Sequence, residues 1–324
     1  MTAQPTTGVT ADGMTAEQAI DRIEAAGHPR AQDRRLHARG SSFDGRFIPA
    51  PQVKGLTVAT HLTTEGAVVV RFSNGLPQID ADDRERGVRG MAVKFLDADA
   101  KPVADLVAAN FRVFPSRTPE GFIDLVEALS EATADGSLAE RAKGKLAAAG
   151  KFASLLTHHP EAYAGLKAFI ARQAPASYAT TRYDGLHAFH LVDADGNRQA
   201  FRYRLIPQLG EVDLVPDHAK TLAFDFMLGE LDERLSAGPV SFTLAFQLAD
   251  PGDQTSDPSA GWPEHRRLIP AGTIEVLGRS PKADDWEHAV FDPTNIAPGV
   301  ELSDDPILSF RPYAYSVSAS RRLA

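Results

Sequence analysis

The feature that most constrains this chain is a change of hydrophobic period, made twice. Residues 56–62, 67–72, 90–96 and 106–114 are short stretches rich in Val, Thr and other strand formers. From Pro119 to about Gln173 the sequence turns Ala-rich with apolar residues at helical spacing, restarting at Pro160. Strand-like stretches then return at 183–192, 200–206, 239–248 and 272–277, interrupted by a helical segment at 219–236. Strand runs kept apart from helix runs predict an α+β fold with antiparallel pairing. Eight such strands can close into a barrel with helices packed around it. Thr63-Thr64-Glu65-Gly66 predicts a hairpin between the first two stretches, and Asp195-Gly196 another further on. Near the start, Thr15-Ala16-Glu17-Gln18 has capping-box form before Ala19, Ile20, Ile23 and Ala26, with Gly27 placed to stop the helix. Residues 1–14 read as a loose arm. No linker composition interrupts the rest, so the division expected is an arm and helix over 1–29 and one domain over 30–324.

Composition removes whole classes of function. The formal net charge of -9 argues against nucleic-acid binding, which wants a basic footprint. The absence of cysteine removes disulfides, thiolate metal sites and cysteine nucleophiles. The first residues carry no secretory pattern, and no apolar run reaches membrane-spanning length, so a cytoplasmic protein without a membrane partner is expected.

Two segments carry chemistry. In Arg34-Arg35-Leu36-His37-Ala38-Arg39-Gly40, one histidine sits among three arginines before a Gly- and Ser-rich turn. Fixed cations disfavour a protonated imidazole, so His37 is expected to be neutral. A neutral imidazole can take and return a proton while the cations hold an anionic ligand; a solvated basic loop is the plain alternative. Near the C-terminus, Arg311 and Tyr315 are four apart and share a helix face. A guanidinium against a phenol oxygen favours the phenolate, a hard anion suited to Fe(III). Tyr313 faces elsewhere on a helix and is the weaker candidate. A core tyrosine with a surface arginine is the plain reading of this pair.

Taken in order, Arg34-x-x-His37-Ala38-Arg39-Gly40, Val70-Arg71-Phe72-Ser73, Arg89-Gly90-Met91-Ala92-Val93-Lys94-Phe95, Asp105-Leu106-Val107-Ala108-Ala109-Asn110 and Arg311-x-x-x-Tyr315 resemble the haem catalase family. The short chain is similar to its compact branch, the catalase-related peroxidases. Ala174-Pro175-Ala176-Ser177-Tyr178, Phe201-Arg202-Tyr203-Arg204 and Asp257-Pro258-Ser259-Ala260-Gly261-Trp262-Pro263 extend the likeness, which covers about residues 30–322.

The resemblance implies haem b inside a catalase-like eight-stranded antiparallel β-barrel. It implies His37 as the distal base, Asn110 as the distal amide and Ser73 as the serine that orients the histidine. Tyr315 would be the iron ligand, a use of tyrosine known for catalase, and Arg311 would keep it ionised. Arg34, Arg71 and Arg322 would hold the haem propionates, and Phe122 would pack on the distal face. Surface cations, a turn asparagine, a strand-end serine and a core ring are the plain alternatives. His61, His158, His159, His187 and His190 are left as structural or surface residues.

The implied activity is a peroxidase that reduces hydrogen peroxide or organic peroxides with an organic electron donor through an oxoferryl haem. Longer catalases carry an arm, a wrapping segment and often a further domain, so a more open haem edge and weak catalase activity are expected here. Val317 and Ala319 stand where longer catalases have aspartate and histidine, so no nicotinamide nucleotide site is assumed. Three rivals stand beside it: an enzyme that keeps the fold and rearranges fatty-acid hydroperoxides, a non-enzymatic haem carrier or sensor, and a barrel with an empty or lipid-filled interior. The donor and the oligomeric state stay open, a homodimer included.

Overall fold

Strand pairing closes on itself. In the computed structural model, which describes residues 8–132 and 138–324, ten strands form one antiparallel sheet. They are β1 (Gly40–Pro49), β2 (Gly66–Asn74), β3 (Arg89–Leu96), β4 (Pro102–Ala109), β5 (Tyr183–Asp184), β6 (Phe189–Val192), β7 (Arg198–Pro207), β8 (Val240–Leu248), β9 (Leu268–Arg279) and β10 (Val300–Leu302). The ring runs β1-β2-β3-β4-β5-β7-β8-β9 and returns to β1, so eight strands make a barrel. β6 pairs with β7, and β10 pairs with β6 outside the ring. Closure leaves the ring strands no open edge.

Alternation sends one set of side chains inward. Phe43, Phe47, Val70, Phe72, Met91, Val93, Leu106, Phe201, Phe242 and Phe246 belong to a single buried cluster. Phe72 of β2 and Phe242 of β8, which do not pair, meet at 6.0 Å between ring centroids. The interior is therefore filled by its own side chains, as suits an eight-stranded barrel. This corrects the expectation of a cofactor inside the barrel; the large cavity lies against its outer wall.

Helices cover that wall. They are α1 (Ala16–Gly27), α2 (Thr60–Thr63), α3 (Pro119–Ala132), α4 (Leu138–His158), α5 (Ala162–Ala171), α6 (Pro216–Ala219), α7 (Phe226–Ala237), α8 (Ala283–His288) and α9 (Pro306–Leu323). Ala19, Ile20 and Ile23 of α1 pack with Ile123 and Val126 of α3, and Phe310, Ala314 and Val317 of α9 lean on the same cluster. The first and last helices are thereby clamped together.

Several boundaries differ from the sequence reading. Residues 56–62 are not a strand. Thr57 bonds Gly299 O at 2.5 Å and accepts from Ala59 N at 3.0 Å, a local hydroxyl turn that leads into α2. The partner of β2 is instead β1, whose Gly and Ser residues disguised it. A Cβ at Gly45 would stand 2.5 Å from Glu275 O, beside a bulge, so only glycine fits there. The stretch 106–114 ends as strand at Ala109, and 183–192 divides into β5 and β6. The segment 219–236 breaks into α6 and α7, because buried Asp83 enters at the break: its backbone N–H donates to Phe224 O and its carboxylate accepts from Met227 N. The α1 capping box is present, but the left-handed stop is His28; Gly27 is needed because a Cβ there would lie 2.4 Å from Pro77. Within the expected arm, residues 1–7 lie outside the described residues, and 8–14 form a turn tied to α1. The hairpin turn at Asp195-Gly196 stands, with Gly196 at φ +81°. The helical stretch divides into α3, α4 and α5, with 133–137 outside the described residues.

The Lys94–Asp105 pair, 2.6 and 2.7 Å, is buried between β3 and β4. It also binds the chain returning to α9, through Val290 O and Asp292 N. Lys94→Met leaves a buried carboxylate unpaired and is expected to lower stability by about 3–5 kcal/mol. Lys94→Met with Asp105→Leu is expected to recover most of it, as read from denaturant midpoints.

Candidate active site

The wall of the cavity is built by register. Gly40, Ser73, Gly90 and Ala109 are neighbours in one row across β1 to β4. Ser42, Arg71, Ala92 and Val107 form the next outward row. The first row carries only small residues, so a flat ring can lie on it. His37 occupies that shelf. A Cβ at Gly90 would stand 2.8 Å from His37 Nδ1 and 2.9 Å from Ser73 Oγ.

His37 is held by its backbone and its ring together. Its φ is +58°, a left-handed conformation unusual for a residue with a Cβ. Its N–H donates to Gly75 O at 3.2 Å, and its carbonyl accepts from Arg71 Nη2 at 3.2 Å. Its Nδ1 pairs with Ser73 Oγ at 2.9 Å. Burial, followed by the charges of Arg71, Arg311 and Arg34, lowers its pKa to about 3. The imidazole is therefore neutral at working pH, as the arginine-rich sequence predicts.

Arg34, Arg71 and Arg322 converge on α8. Arg71 binds Glu287 through Nε and Nη2 at 2.7–3.1 Å. Arg34 donates to the carbonyls of Trp286, Glu287 and Ala289. Arg322 donates to those of Glu287, His288 and Ala289. The Glu287 carboxylate thus pairs with Arg71 and Arg34, while Arg322 reaches the main-chain carbonyls beside it. Burial would raise the Glu287 pKa, but the Arg71 hydrogen bonds and charge, with that of Arg34, hold it below the ordinary range. Burial and the charge of Arg71 push Arg34 down to about 9, and Arg322 is lowered by the same two causes. Arg34 Nε is buried without a hydrogen bond, 3.5 Å from Glu287 Oε2. A buried cationic donor left in this way at the mouth of a cavity fits an anionic ligand.

α9 supplies the other anchor. Arg311 donates to the Tyr315 oxygen through Nε at 3.0 Å and also through Nη2. Its Nη1 reaches His187 Nε2 at 2.8 Å, and His187 Nδ1 meets Asp305 Oδ2 at 2.6 Å. Asp305 is fully buried and also caps α9, accepting from Ile307 N and Leu308 N. Burial lowers the His187 pKa against the pull of Asp305, so the ring is neutral and its Nδ1 carries the proton. Three side chains in series thus fix the Tyr315 oxygen from behind. Tyr315, Arg311, His37, Ser73, Arg34, Arg71, Arg322 and Phe122 line one cavity of about 340 Å³. Phe122 packs on Phe114, ring centroids 4.9 Å apart and planes tilted by 49°.

Asn110 does not join them. Its Oδ1 accepts from Arg89 N at 2.8 Å, its Nδ2 donates to Gly87 O at 3.2 Å, and it is not on the cavity wall. Strand alternation explains this. Leu106 and Ala108 face the barrel core, so Val107 and Ala109 face the cavity. Asn110 turns the other way and braces the start of β3, which carries Gly90. Tyr313 is also absent from the cavity wall and packs against Gly8.

The family described as Catalase matches residues 4–324. The chain belongs to the catalase family. It is 38% identical to a catalase-related peroxidase of Mycolicibacterium paratuberculosis, over 96% of this chain and 95% of that one. It is 27% identical to a catalase-related peroxidase of Synechococcus elongatus, over 98% and 91%. Among solved structures, catalase A from Saccharomyces cerevisiae superposes with a TM-score of 0.78 at 21% identity, over 95% of this chain and 64% of that one. The chain therefore spans nearly the whole of these peroxidases and under two thirds of that catalase.

The sequence reading missed His187 and Asp305 in this catalase-family site. A histidine inside a strand-like stretch carries no local signal. Asp305-Pro306, an acidic cap before a proline at the helix start, does mark the α9 terminus. Gly90→Ala is expected to displace the His37 ring and lower peroxide turnover at least tenfold while the fold persists. Circular dichroism and steady-state rates check this; an unaltered rate would mean that the ring does not need the shelf.

Proposed function

We propose that the protein is a haem-dependent peroxidase that reduces hydrogen peroxide or organic peroxides at the expense of an organic electron donor, with weak catalase activity. The observation that carries this reading is the shared cavity. One wall holds a neutral histidine–serine pair, α9 brings a phenol gripped by a guanidinium, and three arginines outnumber the one carboxylate at the mouth. Catalase-family membership implies haem, and we assign haem b. Tyr315 would hold the iron; Arg34, Arg71 and Arg322 would hold the propionates; Phe122 would pack on the ring. The bound haem would supply the iron centre at which peroxide is reduced and the redox capacity for two electrons.

The protein's own groups do the rest. His37 is the proton carrier. With Nδ1–H donating to Ser73 Oγ, its Nε2 keeps a free lone pair, takes the proton from one peroxide oxygen and returns it to the other as the O–O bond breaks. Ser73 holds the ring in place through that bond. Gly90 lets the ring lie close to the wall, and Asn110 supports Gly90 from behind. Arg311 keeps the Tyr315 oxygen aimed, and His187 with Asp305 keeps Arg311 aimed. Because Asn110 is engaged elsewhere, the wall beside His37 gives a second peroxide molecule little to bind. That supports oxidation of a donor over release of oxygen.

His37→Ala is expected to slow the reaction with peroxide by about 10²–10⁴-fold with the haem band retained. The wild-type rate of that step is expected to stay flat from about pH 5 to 8, because His37 protonates only near pH 3. Stopped-flow spectroscopy reads both. Fast oxygen release without oxidation of aromatic donors would refute the peroxidase reading, and a rate midpoint near 6.5 would refute the neutral base.

A further inference from the structure

We propose that Glu287 is a positioning residue that sets the charge of the haem site: it fixes Arg71 and Arg34 and withdraws one positive charge from the propionates. The inference rests on the peroxidase reading above and deepens it. Arg34, Arg71 and Arg322 are on the cavity wall, and Glu287 is not. Among the described residues no carboxylate lines that cavity. The negative charge of Glu287 therefore stands behind the guanidiniums, on the side away from a ligand.

The hydrogen bonds show how the donors are divided. Arg71 gives Nε and Nη2 to Glu287, and its Nη2 also donates to His37 O at 3.2 Å. Its guanidinium lies against β1, where a Cβ at Gly40 would stand 2.7 Å from Arg71 Cζ. Arg34 and Arg322 donate to carbonyls at the C-terminal end of α8, groups that a helix leaves without partners of its own. Among the described residues this leaves Nη1 of Arg71 and Nη1 of Arg34 without a hydrogen bond, and both arginines line the cavity. Each thus keeps donors for a ligand while its remaining donors hold it in place.

The charges balance when the propionates are counted. Three guanidiniums and one carboxylate leave two positive charges. The two propionates of haem b would neutralise them. Other cations on the wall do not enter this balance: Arg35 is paired with Glu24 at 2.5 Å, and Arg311 is bonded to Tyr315. Burial opposes ionisation of Glu287, but the Arg71 bonds and charge hold its pKa low, so the negative charge is present at working pH. Its side chain is 31% exposed, so solvent screens it only in part. Without that charge, the excess positive charge would hold the propionates more tightly and favour ferrous over ferric iron. Tyr315 as phenolate favours Fe(III), so the two anions act in the same sense from different edges of the site.

The test compares Glu287→Gln with the wild-type haem-loaded protein. Glutamine keeps an oxygen that can accept from Arg71 and removes the charge. Transfer of haem to excess apomyoglobin is expected to slow about threefold or more at low salt, with the difference shrinking towards about 1 M salt. The midpoint of spectroelectrochemical reduction is expected to move to a more positive value. Asp284→Asn removes the same charge from an exposed residue of α8 and is expected to change neither reading. If Glu287→Gln does not fold, Glu287→Met, uncharged and of similar length, decides by the same two readings. An unshifted midpoint or faster haem loss in a folded variant overturns the inference, as does an equal shift in Asp284→Asn. In each case a wild type that still oxidises a donor with peroxide leaves the peroxidase reading intact. A wild type that takes up no haem overturns both.

Discussion

Positive charge that the protein does not neutralise by itself governs this site. Arg34, Arg71 and Arg322 crowd the cavity mouth around Glu287, whose carboxylate pairs with Arg71 and Arg34 and whose carbonyl accepts from Arg322. The charges of Arg71 and Arg34, with Arg311, hold His37 neutral after burial has already disfavoured its protonation. A single arrangement therefore favours an anionic ligand at the mouth and an unprotonated base on the wall. Neither would follow if the arginines were solvated, because exposed charges are screened within about 10 Å at ordinary salt.

The barrel makes that arrangement possible by being filled. Packed with Phe and Tyr inside, it is a rigid surface and not a container. Its outer face presents the small row Gly40, Ser73, Gly90 and Ala109, against which the His37 imidazole packs closely at Gly90 and Ser73. The C-terminal helix is then fixed against this surface through polar links, Asp305 to His187 to Arg311 to Tyr315. α1 and α3 grip the apolar side of that helix. The two chemical anchors lie far apart in sequence and are brought to one cavity by these restraints.

The chemical anchors were legible in the sequence because their residue types are informative at short range. A histidine among arginines and an arginine four before a tyrosine each imply an electrostatic arrangement without any knowledge of the fold. The alternating strands of β2, β3, β7 and β8 were legible for a similar reason. β1 was not, because its Gly and Ser residues serve close approach to Glu275 and Arg71, a requirement set by other strands. Residues 56–62 have strand composition, yet a threonine hydroxyl turn overrides it. Asn110 was misplaced by one position. Counting the alternation outward from Leu106 would have put Ala109 on the cavity side. His187 and Asp305 were invisible because their meaning lies in a contact across more than a hundred residues.

The claim on which the site depends is that the Tyr315 oxygen, gripped by Arg311, binds iron in the cavity that His37 also lines. Resonance Raman spectroscopy of the resting haem-loaded protein tests it most directly. Phenolate vibrations coupled to the iron should be present, should vanish in Tyr315→Phe, and should persist in Tyr313→Phe. Phenolate modes that survive loss of Tyr315, or a spectrum of histidine ligation that disappears with His37, would contradict it.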